Sequence, residues 1–594
     1  MKDPLRIANC SGFFGDRIAA AREMIEGGPI DVLTGDYLAE LTMAILWRTR
    51  SREDDGGYAG TFLTQMREVM ASCLDRGVKV VANAGGLNPR GLAGRLRKMA
   101  DELGLNPRIA FVEGDDLLPR LAELLSAGHE FRHLDRGQSL REAGVTPLTA
   151  NAYLGGWAVK EALERGADVV VTGRITDAAL VIGPAAWHFN WERDNWDALA
   201  GALVAGHIVE CGAQATGGNY AFFEEVPGLS HPGFPIAEIH PDGSSVITKH
   251  PGTGGLVSVG TVTAQLLYEI DSTRYVNPDV VAHFDTIHLQ QEAPDRVAVS
   301  PVVGSPPPPD LKVAINYMGG FKNTMTFGLA GLAVAEKAKL VEDALWESIG
   351  PPDDFEAVDV RLLGEPAKDP ATNDEALAYL RVSVRDPDEE KVGRRFSRAA
   401  VELALAHYPG LFLTSPPGDA SRYAVYWPAA VPATLVPARV VVGEEEWEVS
   451  SVAPATEAVA TPQPPTPPAA TSASGPPPGE GTTSVPLGRV AGARSGDKGG
   501  NANVGVWVRS AEAYRWLESY LTTERMRVLL PEAAELEIRR YELANLAALN
   551  FVFVGLLGEG VSSSLRTDPQ AKSLGEFMRA RWVDVPNDLL DPRG

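Results

Sequence analysis

Residues 451–485, SVAPATEAVATPQPPTPPAATSASGPPPGEGTTSV, are almost entirely Pro, Ala, Ser, Thr and Gly. Such a stretch cannot bury enough apolar surface to offset its ordering entropy, so it predicts an extended linker, not part of a core. It divides the chain into a body over 1–450 and a small body over 486–594. The whole is 594 residues with 44% hydrophobic and 22% charged side chains, which are globular values. A net charge of -24 supplies no bulk Lys/Arg surface for phosphate backbones, so neither nucleic acid nor an anionic membrane is expected as a partner. The opening MKDPLRIANCSGFFGDR has no apolar signal core, and no apolar run reaches membrane-spanning length. Three scattered cysteines form no CxxC, so a reducing cytoplasm is the expected setting.

The large body alternates short apolar strands with helical stretches, the pattern of an α/β domain. Arg6–Cys10, Ile30–Thr34, Lys79–Gly86, Arg108–Gly114 and Ala167–Arg174 read as strands, with a helix over Leu87–Leu103. The expectation is a mainly parallel sheet whose strands end in glycine and polar residues, where such sheets place ligands. From about residue 230 the pattern turns toward β structure with Gly and Pro turns, which reads as an α+β subdomain reaching to 450, with helices over 330–345 and 392–406. The small body reads strand, loop, strand, helix, strand, strand, helix, which suits a split βαβ, ferredoxin-like α+β sandwich.

Glycine lets backbone N–H groups approach an anion, and a following helix N-terminus adds its dipole. Five loops of the large body combine glycines with polar side chains. They contribute Ser11 and Gly12; Asp36 and Glu40; Asn83, Gly85 and Gly86; Arg174 and Asp177; and Glu210 with Gly217, Gly218 and Asn219. A sixth loop, in the small body, supplies Arg494, Asp497, Lys498, Asn501 and Asn503; it is longer than a hairpin turn requires. Arg174 is the candidate anion clamp, because its planar fork holds a carboxylate or phosphate in two bonds. Asp36, Glu40, Asp177 and Glu210 are the candidate acid–base groups, given burial that raises a pKa. Each has an ordinary alternative: Asp36 as a helix cap, Arg174–Asp177 as a structural pair, glycine as the default turn residue. Cys211, close to His207 and Glu210, reads as an inert buried thiol rather than a nucleophile. No HExxH, no GxSxG, no Walker A loop and no complete dinucleotide fingerprint is present, since GTGGLVS lacks its third glycine.

At IANCSGFFGDR, DVLTGDYLAELTM, VVANAGGLNP, ADVVVTGRITDAAL, GHIVECGAQATGGN and GRVAGARSGDKGGNANVGVWV the chain resembles the acyclic terpene utilisation family AtuA. The resemblance implies a place in the breakdown of acyclic terpenes and related branched acids, beside enzymes of acyl-CoA chemistry. It also implies a ferredoxin-fold shape for the small body; three cysteines do not make a four-thiolate cluster. The family brings no catalytic residue set to carry over. The expected function is therefore lyase- or hydratase-type chemistry on a CoA thioester or organic acid, a small-molecule substrate. The alternative is a non-catalytic ligand-binding or scaffold subunit. No cofactor is called; a divalent metal held by Asp36, Glu40 and neighbouring oxygens stays open, as does a homo-oligomeric state.

Overall fold

The computed structural model describes residues 3–52, 55–300, 302–452 and 481–590. Of the stretch read as linker, 453–480 lie outside the described residues. The chain packs as two units, one of 1–316, 426–556 and 570–594, the other of 317–425 and 557–569.

The first unit is built on an eleven-stranded sheet. In chain order its strands are β1 Leu5–Asn9, β2 Val32–Gly35, β3 Lys79–Ala82, β4 Ile109–Glu113, β5 Val169–Thr172, β6 Pro235–Ile239, β7 Ser245–Lys249, β8 Leu289–Ala293, β9 Arg296–Val299, β10 Ala438–Val442 and β11 Glu445–Val449. Their spatial order is β8-β9-β7-β6-β1-β2-β3-β5-β4-β10-β11. Only the central five are parallel, with Ile7 opposite Val32, Val32 opposite Lys79, Val80 opposite Val169 and Ile109 also opposite Val169. The six outer pairings are antiparallel. The expected mainly parallel sheet is thus corrected to a mixed one. The five Val/Ile-rich segments that suggested it form its centre; the flanking strands come from the β-rich stretch after residue 230 and return by hairpins.

Helices cover the parallel centre. The helix Pro89–Glu102 starts where the Asn88 side chain accepts from Gly91 N at 2.9 Å and Pro89 opens the first turn. It turns Leu92, Ala93, Leu96, Met99 and Ala100 inward at helical spacing. Those side chains join Val80, Phe111, Val169 and Val171 in one core. Because all five central strands run the same way, the loops after their carboxyl ends gather on one edge.

The small body carries β12 Ala491–Lys498, β13 Asn501–Val508, β14 Ile538–Leu543 and β15 Ala548–Phe553, in the order β12-β13-β15-β14 and antiparallel throughout. β15 lies between β13 and β14, which the helices Ala511–Tyr520 and Thr523–Leu529 connect, so the βαβ unit is split. One expectation fails locally. The polar segment 494–503 is no long loop: β12 and β13 run through it to Lys498 opposite Asn501, leaving Gly499 (φ +61°) and Gly500 as a two-residue turn. Small polar residues on both faces hide the strand alternation there.

In the second unit, Leu377–Asp386 pairs with Ala357–Leu363 and with the part of the strand Asp310–Ala330 from Phe321 onward. Helices Val334–Ile349 and Arg394–Glu402 cover the face carrying Phe327, Leu329, Leu380 and Val382.

Candidate functional site

A cavity of 640 Å³ in the first unit lies at the carboxyl edge of the parallel strands, within the size range of small-molecule sites. The loop after β1 brings Gly12, whose backbone packs on Cys211 so closely that a Cβ there would lie 2.5 Å from the Cys211 carbonyl carbon. The loop after β2 brings Asp36, and Glu40 opens the following helix Glu40–Arg50. The loop after β5 brings Arg174 and Asp177, and the end of the helix Trp196–Val209 brings His207 and Glu210.

The loops after β3 and β4 stand behind these and fix them. Asn83 Nδ2 donates to Asp36 Oδ1 at 2.5 Å, and Asn83 Oδ1 accepts from Tyr37 N at 2.7 Å. Asp115 Oδ2 accepts from Arg174 N and from Asn151 Nδ2, each at 2.8 Å. Both supports are buried, so the backbone beneath Asp36 and Arg174 is set by hydrogen bonds that water does not compete for.

Arg174 is 3% exposed. Its guanidinium bonds Asp177 Oδ1 at 2.7 Å and stacks over the Tyr153 ring at 4.3 Å. Burial alone would favour its neutral form, but Asp177, Tyr153, Glu40 and Asp36 outweigh it and hold the charge more firmly than in water. Glu40 shows the converse: burial pushes its carboxyl up, yet Lys312, 3.9 Å from Oε1, and Arg174 bring it below the usual range. Asp36 lacks enough such help. Burial and then Asp177 raise it well above an ordinary Asp, despite Arg174 and Asn83. Glu210 is raised likewise, by burial, Asp177 and Glu269. Its Oε1 meets His207 Nδ1 at 3.0 Å, and burial, then Lys498, pushes His207 down to about 4. Burial thus favours the neutral form of both partners, and their contact is a hydrogen bond rather than an ion pair. Arg174 Nε, His207 Nε2 and Glu210 Oε2 are buried with no hydrogen-bond partner among the described residues. Each such group costs about 1–3 kcal/mol, and a polar ligand would relieve it.

The opposite wall comes from the small body and the segment it packs on. The Arg494 guanidinium stacks over Tyr268 at 4.2 Å and bonds Gln214. Lys572 bonds the Tyr268 hydroxyl and lies 3.6 Å from Glu269 Oε1. Lys498 Nζ donates to the Glu269 carbonyl at 2.9 Å. Burial pushes Glu269 up to about 7 and Asp497 up to about 8.

Residues 5–442 match the acyclic terpene utilisation family protein AtuA, and residues 485–584 match the AtuA ferredoxin-like domain. The chain belongs to the AtuA family. Neither a curated protein nor a solved structure gives a match. The two family segments meet in this cavity, since Arg494, Asp497 and Lys498 line it together with Asp36 and Arg174.

Of the residues singled out from the AtuA sequence, Gly12, Asp36, Glu40, Arg174, Asp177, Glu210, Gly218, Asn219, Arg494, Asp497 and Lys498 line the cavity. Seven do not. Ser11 is wholly buried, its hydroxyl donating to the Phe13 carbonyl. Asn83 supports Asp36 from behind; a Cβ on Gly85 would lie 2.5 Å from the Thr172 carbonyl and one on Gly86 2.3 Å from Leu46. Gly217, at φ +102°, turns the chain after Gly212–Thr216. Asn501 and Asn503 bond backbone within and beside the small body. Sequence reasoning passed over Tyr153, Tyr268, Glu269, Tyr275, Lys312 and Lys572, which line the cavity too; none stands in one of the six glycine loops singled out above. Cys211 also lines it, and burial with Glu210 and Glu269 raises its thiol well above the ordinary range. That disfavours a thiolate nucleophile. Among the described residues no group of three or more His, Cys, Asp or Glu is arranged to hold a metal, and no helix is long and apolar enough to cross a membrane.

Proposed function

We propose that this AtuA-family protein is an enzyme of acyclic terpene or branched-acid breakdown that moves a proton beside a carbonyl, in a lyase- or hydratase-type reaction on a thioester or organic acid. One observation carries the reading. A single cavity holds a carboxyl whose surroundings favour the ionised form, Glu40, and carboxyls whose surroundings favour the protonated form, Asp36 and Glu210, around the buried Arg174 guanidinium. Environments that push like groups apart in this way divide them into base and acid. In the dehydrating direction Glu40 takes the proton from the carbon next to the carbonyl, and Arg174 stabilises the negative charge that develops on the carbonyl oxygen. Asp36 or Glu210 gives its proton to the departing hydroxyl, which leaves as water. Glu40 ends protonated and the donor ionised; hydration is the reverse. Leu38, Phe13, Val276 and Pro278 add apolar groups to the lining that suit a branched chain.

The test is incubation of the purified full chain in D2O with branched enoyl and hydroxyacyl thioesters and the corresponding acids. Wild type should place deuterium at the carbon beside the carbonyl, and Glu40→Gln should lose about a hundredfold or more of that rate. Thioester binding without exchange or turnover in wild type would overturn the reading in favour of a ligand-binding subunit.

A further inference from the structure

Glu269 sits in the cavity wall with φ +56°, a left-handed conformation that a non-glycine residue rarely adopts. The helix Val259–Leu266 has ended just before it, and the following residues are held by the small body's sheet. Asn503 Oδ1 accepts from Glu269 N at 3.0 Å. Asn503 Nδ2 donates to the Leu267 carbonyl at 2.8 Å and to Asn550 Oδ1 at 3.0 Å. Asn550 Nδ2 donates to the Ile270 carbonyl at 3.1 Å, and Lys498 Nζ to the Glu269 carbonyl. Both asparagines are 0% exposed. The register sets Gly496 opposite Asn503 and Gly505 opposite Asn550, so all four share one face. The glycines are needed there. A Cβ on Gly496 would lie 2.5 Å from the Tyr268 ring, and one on Gly505 2.5 Å from Leu267 Cβ. Gly496, Asn503 and Gly505 of the string SGDKGGNANVG are thereby accounted for: bare backbone where the segment packs closest, and an amide where its peptide groups need a partner.

We infer that the ferredoxin-like domain completes the site, with Asn503 and Asn550 as positioning residues that clamp Leu267–Ile270 in its strained form and so hold the Glu269 carboxyl in the cavity as a further proton-transfer group. This rests on the proton-transfer reading above. Glu269 is itself the segment's left-handed residue, while Arg494 and Lys572 grip the neighbouring Tyr268 ring. None of the clamp's hydrogen bonds is to Asp36, Glu40 or Arg174.

The test uses full-length Asn503→Ala and Asn550→Ala, with two measurements. In hydrogen exchange followed by mass spectrometry, the peptide over 262–275 should exchange about tenfold faster or more in each variant, while peptides of the parallel strands keep wild-type rates and so report intact folding. On a substrate that wild type converts, kcat should fall about tenfold or more with KM changed less than about threefold, and Glu269→Gln should show the same kcat loss with wild-type exchange. Unchanged exchange at 262–275 in both asparagine variants overturns the clamp. Faster exchange with unchanged kcat, or Glu269→Gln with full activity, overturns the role given to Glu269. Should wild type turn over nothing, the proton-transfer reading falls and takes the role of Glu269 with it; the exchange arm then decides the clamp alone.

Discussion

Arg174→Met removes the cation around which the acids of the cavity are arranged, and its cost should depend on pH in a definite direction. The guanidinium is buried, 2.7 Å from Asp177 and close enough to Glu40 and Asp36 to shift both. Taking away one partner of a buried ion pair costs about 3–5 kcal/mol, because the remaining charge is left without compensation. That cost is largest at the upper end of the pH range, where Glu40 is ionised. In wild type Glu40 has a lowered folded pKa, so the stability it contributes is present above its unfolded value and lost as pH falls through the folded one. Without Arg174 the folded pKa of Glu40 rises, and those of Asp36 and Glu210 rise further. The variant's folded state therefore binds more protons than that of wild type, and its stability falls more steeply as pH rises. One pKa unit is worth about 1.4 kcal/mol, so relief of about 1–3 kcal/mol is expected on going from pH 8 to pH 5.5. Urea unfolding followed by circular dichroism at pH 5.5, 6.5 and 8 measures it. Arg174→Lys, which keeps the charge and loses the fork, should fall between the two proteins. A penalty that is the same at all three pH values, or below about 1 kcal/mol at pH 8, would refute the account of these acids as held by Arg174.

Asp115, 3% exposed, is pushed from its ordinary 3.8 up to about 7 by burial, a shift worth about 4 kcal/mol. A raised folded pKa gives stability that is present below the unfolded value and lost as pH rises toward 7. Asp115→Asn should therefore flatten the decline in stability between pH 4 and 7, read from urea midpoints. Gly12→Ala puts a Cβ 2.5 Å from backbone at Cys211, so the loop must shift; destabilisation of about 1–3 kcal/mol and weaker thioester binding by calorimetry are expected. The Cys211 thiol, raised well above its usual range, should react with iodoacetamide at pH 7.5 at least about tenfold more slowly than a free thiol, as mass spectrometry of the labelled peptide would show.

The strands of the parallel centre were legible because a strand buried on both faces reads as a nearly continuous apolar run, and VLT, VVA, IAFV and VVVT do, while Arg6 interrupts β1. What that signal cannot give is the rest of the sheet. β6 to β11 pair antiparallel, β6 and β7 buried throughout and β8 to β11 partly exposed, and such short segments look alike in any β-rich context. The same limit governs the site. A glycine-rich turn at a strand's end marks a place where backbone comes close to something, and the sequence leaves open whether that is a ligand or another loop. The loops after β1, β2 and β5 reach the cavity, while those after β3 and β4 spend their polar groups on Asp36 and Arg174. Nothing local distinguishes Asn83 from Asp36, because the difference lies in strand order: β3 stands between β2 and β5, where its loop is enclosed by theirs.

Glu269 shows the opposite failure. It lies in TAQLLYEI, an apolar stretch with no glycine and no excess of polar residues, which reads as ordinary core. Its place depends on a partner more than two hundred residues away, Asn503, whose amide accepts the Glu269 N–H. The signal was present on the other side of that contact. A string with glycines and asparagines set on one strand face is poor material for a core, since glycine packs nothing and a buried amide must be satisfied. It is sound material for receiving a peptide segment at close range. Gly496, Asn503 and Gly505 specify a docking face for backbone, and what they leave unspecified is which backbone arrives.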